Sequence, residues 1–211
     1  MSWDPLEAHL SLLELARYDA GLRGTLTPIG AAIREASDRI DKAVQQAAPE
    51  DVDFFVDDQC ELIENLLGAA FIVCQARITA VVSGGVKLAA YCGRKGIPFT
   101  AYAPRKDAIL TMGLTFTGSP VTLIQFMDAV ANYFKHRDEW AEMDWSKLTG
   151  QSKRTADVIQ VGGLKAGFTG NLRAGAEALG NNDFVSTAIF ADIIDAWSGE
   201  VMRATEKALG R

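Results

Sequence analysis

Apolar residues recur at helical spacing along most of the chain. Leu6, Leu10 and Leu13 share one side of a helix predicted from about Asp4 to Tyr18, with Pro5 suited to its first turn and Gly21 and Gly24 closing it. Thr27-Pro28 reads as the N-cap and first residue of a second helix. Its Ile29, Ile33, Ala36, Ile40, Ala43 and Ala47 are spaced 4, 3, 4, 3 and 4 apart, and Pro49 ends it. From Asp51 the pattern restarts through Phe55, Leu62, Leu66, Val73 and Ile78, predicting the longest helix and the centre of the core. Glycine costs ~1 kcal/mol relative to alanine inside a helix, so Gly84-Gly85 is expected to weaken or break it, with a second piece running to Tyr91.

Residues 93–118 are the irregular part: Gly93, Gly96, Pro98 and Pro104 predict turns and extended chain, with a short helix around Asp107 to Leu114. Ser119-Pro120 repeats the N-cap signature. Leu123, Phe126, Met127, Val130 and Phe134 then give the next helix its apolar face and place the run Asn132 to Trp140, NYFKHRDEW, at its C-terminus. A modest helix follows from about Lys153 to Val161, then a short one capped by Asn171 and stopped at Gly180. A last helix, capped by Asp183, carries Phe190, Ile193, Ile194, Trp197, Val201, Ala204 and Ala208 on one face. The pattern predicts one all-α domain over residues 1–211, a helical bundle of six or more helices without a sheet.

Composition agrees with a globular chain: 48% hydrophobic and 23% charged residues leave enough apolar surface to offset chain entropy without disulfides or metals. Cys60, Cys74 and Cys92 are odd in number and lack C-x-x-C spacing, as expected of buried thiols in a reducing cytoplasm. The start of the chain has no basic region followed by an apolar one. The most apolar stretch, around Leu66 to Cys74, is interrupted by Glu64, Asn65, Gln75 and Arg77, which predicts a core helix rather than a membrane span.

Charge is unevenly placed. Residues 1–64 carry 14 acidic and 5 basic side chains, whereas residues 65–106 carry six bases and no acid, within a net charge of −6. The overall acidity disfavours non-specific nucleic-acid binding, and the basic middle is expected to face the acidic N-terminal part in the fold.

The candidate chemistry is narrow. Neither phosphate-loop pattern occurs, and no metal site or cofactor is expected: His9 and His136 stand far apart, and Asp57, Glu61 and Glu64 read as a solvated acidic stripe. Tyr91, Phe99 and Tyr102 among Arg94, Lys95 and Arg105 are read as loop packing. The run NYFKHRDEW is the better candidate. If the helix persists, Asn132 and His136 share a face, so that Asn132 can fix the imidazole tautomer and His136 can act as general acid or base. Lys135 and Arg137 would then bind phosphate, with Trp140 beside them. The competing reading is that Lys135, His136 and Arg137 complement the helix dipole while Trp140 and Trp145 tuck the following turn onto the bundle.

This run, behind an apolar helix and a core helix containing ELIENLL, resembles bacterial proteins with an N-x-x-K-H segment and, more distantly, the HEPN superfamily, over about residues 50 to 140. The resemblance implies a helical bundle that often dimerises and, in active members, cleaves RNA with an arginine and a histidine at one helix end. Only His136 carries over, with Asn132 as polar companion. The positions where the arginine would stand are Ala129, Val130 and Ala131. The resulting expectation is a cytoplasmic, HEPN-like protein acting by protein association or RNA contact through residues 132–140. The alternatives are a metal-independent endoribonuclease and a small-molecule-binding bundle. A homodimer is expected through the narrow Ile and Ala seam of residues 29–47.

Overall fold

A computed structural model describes residues 6–7, 9–10, 20–46, 49–140, 143–182 and 186–211. Among these, eight α-helices are found: α1 (Ala20–Gln46), α2 (Pro49–Lys95), α3 (Lys106–Leu110), α4 (Leu123–Lys135), α5 (Arg137–Trp140), α6 (Gly150–Val161), α7 (Asn171–Ala178) and α8 (Ala188–Ala208), with a 3-10 turn at Trp145–Lys147. Strand pairing among the described residues is limited to one isolated antiparallel bridge, Thr115 to Thr122. The protein is an all-α bundle of more than six helices.

α2 is the axis. At 47 residues it extends roughly 70 Å at 1.5 Å per residue, and α1, α3, α4, α7 and α8 all pack on it. Phe71, Leu67, Cys74, Ile78 and Leu88 on its buried side are fully enclosed and join Phe126, Met127, Phe190, Ile194 and Trp197 from α4 and α8 in one core cluster. By length and composition α2 is also apolar enough to cross a membrane, but half of its most apolar window is buried against the other helices.

Several local signals were overridden by packing. Pro28 lies inside α1 rather than starting it, and Gly21 and Gly24 are helical. Thr27 does not cap the helix; its hydroxyl donates to the Arg23 carbonyl one turn back, as Thr25 does to Gly21. The predicted first helix falls mostly outside the described residues, although Leu6, Glu7, His9 and Leu10 are helical. α2 does not break at Gly84-Gly85. A Cβ on Gly85 would stand 2.9 Å from Ile109 Cδ1 and 3.1 Å from the Tyr102 hydroxyl, so the missing side chain seats the 102–109 segment against α2.

α4 begins after Thr122, not at Ser119-Pro120. Thr122 and Gln125 form a reciprocal capping box, and the Thr122 hydroxyl also donates to the Leu110 carbonyl; Ser119 instead accepts from the Val121 N–H in the preceding turn. At the last helix, Thr187 occupies the N-cap position and its hydroxyl donates to the Leu26 carbonyl, tying α8 to α1. The predicted cap Asp183 lies outside the described residues.

The Ile and Ala seam of α1 is used within the chain. Ile33 and Ala36 are buried, Ile29 and Ile40 pack against the same core, and α1 lies along α2 and α8.

Candidate binding edge at the end of α4

The run from Asn132 to Trp140 is the last turn of α4, a one-residue break at His136, and the single turn α5. His136 has φ −120° and ψ 14°, so the helix does not persist through it, and Asn132 and His136 are not partners. The Asn132 side-chain oxygen accepts from Gln75 Nε2 of α2 at 3.0 Å and from Lys135 Nζ at 3.3 Å. His136 Nδ1 lies 3.3 Å from Glu139 Oε1, and both side chains are more than half exposed.

Gln75 is the hub of a polar seam between α2 and α4. Its Nε2 also donates to the backbone and side-chain oxygens of Asp128, both at 3.0 Å, and Lys106 Nζ meets the other Asp128 oxygen at 2.7 Å. Asp128 is buried, and this pairing supplies the partners that a buried carboxylate requires. Asp128, Asn132 and Lys135 stand one turn apart on the same side of α4, so the seam runs from Lys106 to Lys135 with its polar groups bonded in series.

The cations divide between solvent and packing. Arg137 places its guanidinium carbon 5.2 Å from the centre of the Phe134 ring, with Nε 3.6 Å from an Asp138 oxygen. Phe134 in turn lies on Gly68 of α2. Asp138 and Glu139 are exposed beside them, so the surface of the edge is of mixed charge. Trp140 is buried under the edge rather than on it. It meets Tyr133 and Trp145 edge-on, at 5.8 and 5.7 Å between ring centres, and Tyr133 and Trp145 close the triangle at 5.7 Å. These rings hold the turn after α4 onto the bundle.

Glu64 departs from the sequence expectation. Asp57 and Glu61 are exposed, but Glu64 is buried, and its two carboxylate oxygens accept from the backbone N–H groups of Leu172 and Arg173 at 2.9 and 3.0 Å. The carboxylate of the core helix thus caps α7 from 108 residues away. Asn171, the expected cap, instead accepts from the Lys165 N–H and donates to the Lys165 carbonyl and to the Tyr133 hydroxyl. Burial pushes the Glu64 carboxyl above its ordinary value, opposed by those two backbone bonds and by Arg173 and Arg137. The i, i+3 spacing of Glu61 and Glu64 did not reveal this; the apolar residues around Glu64, Ile63 and Leu67, carried the available signal.

Other candidates resolve into packing. Tyr102 is buried, with its hydroxyl 2.9 Å from that of Thr205 and its ring edge-on to Phe99. His9 stacks obliquely on Tyr91. Burial pushes the Cys74 thiol up to about 12, which leaves it protonated and unreactive. No cluster of three metal-ligating side chains occurs among the described residues. Two open hollows lie elsewhere, one of about 650 Å³ beside Arg94, Ile97 and Phe99, and one of about 380 Å³ beside Arg23, Arg34 and Thr187. No family model, curated protein or solved structure matches the chain.

Proposed function

We propose that this protein works by association, binding a protein partner at the edge formed by Lys135, His136 and Arg137, with Asn132 held inward behind it and Trp140 as its buried anchor. The observation that carries this reading is the commitment of Asn132 to Gln75. A catalytic imidazole is held by a polar companion that sets its tautomer and direction, and here that companion is turned inward. His136 is left beside an exposed carboxylate at the surface.

Mixed charge favours a protein over RNA. Phosphate affinity comes from clustered cations, whereas Asp138 and Glu139 follow directly on Lys135 and Arg137 and repel a phosphate backbone. The edge stands on rigid packing, the Tyr133, Trp140 and Trp145 triangle, so little ordering entropy is lost when a partner docks.

The test is incubation of the purified protein with structured RNA at low salt in a chelator. The reading expects neither retention nor cleavage. RNA cleavage that disappears in His136→Ala would establish the endoribonuclease reading instead, and salt-dependent RNA retention lost in Lys135→Ala with Arg137→Ala would establish RNA contact.

A further inference from the structure

The charges of α2 are segregated along its length. Its first 16 residues, 49–64, hold seven acids and no base, and the remaining 31, 65–95, hold four bases and no acid. The basic middle therefore cannot face this acidic segment within one helix. Asp58 and Lys87 are separated by 29 residues, roughly 44 Å at 1.5 Å per residue.

One face of the same helix is exposed or half-buried from Asp58 to Arg94. Asp58, Leu62, Asn65, Ala69, Ile72, Ala76, Ala80, Ser83, Lys87, Ala90 and Arg94 recur at spacings of 3 and 4. Asp58, Leu62, Ala76, Ala80, Lys87 and Arg94 are exposed, and the others are half-buried. The face is acidic at one end, small and apolar in the middle, and basic at the other.

We propose that this face docks a second copy of the chain, with the two α2 helices antiparallel and a two-fold axis between Ile72 and Val73. Positions whose numbers sum to 145 then stand opposite each other. That single register sets Asp58 against Lys87 of the second copy and Ala69 against Ala76. A charge pair and a close crossing of small residues are satisfied by one choice of centre, and the two-fold repeats both of them.

Other occupants fit less well. A parallel copy would set the acidic ends together, and an anionic lipid surface or a nucleic acid would be repelled by Asp53, Asp57, Asp58 and Glu61, exposed near the start of the helix. The proposal concerns a different surface from the edge at residues 132–140 and does not rest on it.

Light scattering of the full chain at micromolar concentration tests the pairing. The wild type is expected at twice 22.8 kDa. Asp58→Lys and Lys87→Asp each set two like-charge pairs across the axis and are expected to weaken dimerisation about tenfold or more, while the double reversal restores it. Ala76→Trp is expected to give a monomer that still unfolds cooperatively, since Ala76 is exposed in the single chain. A wild-type monomer, or a double reversal no better than the singles, would overturn the proposal. So would a monomer that sediments with neutral phosphatidylcholine vesicles, because the apolar face would then belong to lipid.

Discussion

Gln75 on α2 donates its side-chain N–H to the Asn132 side-chain oxygen Oδ1 on α4, 3.0 Å away and 57 residues along the chain. The same nitrogen serves Asp128, which is ion-paired with Lys106. Replacing Gln75 with leucine would keep the volume but leave Asp128 and Asn132 short of a donor in a half-dry seam. A loss of about 1–3 kcal/mol in urea unfolding is expected. A variant as stable as the parent would show that water supplies the donors equally well.

Glu64 links stability to pH. Because its folded carboxyl titrates above its ordinary value, its contribution is fully present below that ordinary value and is lost as pH rises through the folded one. Glu64→Gln should therefore flatten the decline of stability with rising pH in the range just above the ordinary carboxylate value. Glu64→Ala removes the cap of α7 and should cost about 1–3 kcal/mol at neutral pH. Parallel pH curves for Glu64→Gln and the parent would contradict the assignment.

Two glycines should respond in opposite directions. A Cβ on Gly68 would stand 2.3–2.5 Å from three carbons of the Phe134 ring, so Gly68→Ala must displace that ring and is expected to cost about 1–3 kcal/mol. Gly24, inside α1, has no such neighbour within 4 Å, and Gly24→Ala should stabilise by about 0.4–1 kcal/mol through the unfolded chain. Thermal melts of the two variants check both signs.

The sequence carried the helices and missed several of their joints. The 3 and 4 spacings around Ile33, Val130 and Ile194 mark faces that are buried in the structure, because burial on one side of a helix imposes that period. The caps were less legible. Thr27-Pro28 and Ser119-Pro120 have the right local chemistry, but Pro28 lies inside α1 and α4 starts at Leu123, behind the Thr122 and Gln125 capping box. The edge was legible as a helix end, with Lys135, His136 and Arg137 near the surface. The bond from Gln75 to Asn132 was not, since Gln75 lies 57 residues earlier and nothing local marks the two as neighbours. Glu64 was hidden for the same reason.

The surface charges of the edge should matter little to folding. His136 is more than half exposed, and Lys135 lies at the surface, so His136→Ala and Lys135→Ala are each expected to change unfolding free energy by no more than about 0.5 kcal/mol. Larger losses would mean that these side chains hold the turn after α4 and are not free for a partner.

The association reading is tested most directly by placing a photo-crosslinking residue at Glu139, beside His136, and at Gln160 on the exposed side of α6 as control, in the cells that make the protein. The account predicts a discrete adduct with a protein other than this chain from position 139, absent from position 160 and lost when Lys135→Glu and Arg137→Glu are added. No adduct at position 139, an adduct destroyed by ribonuclease, or an adduct indifferent to the charge reversal would contradict it.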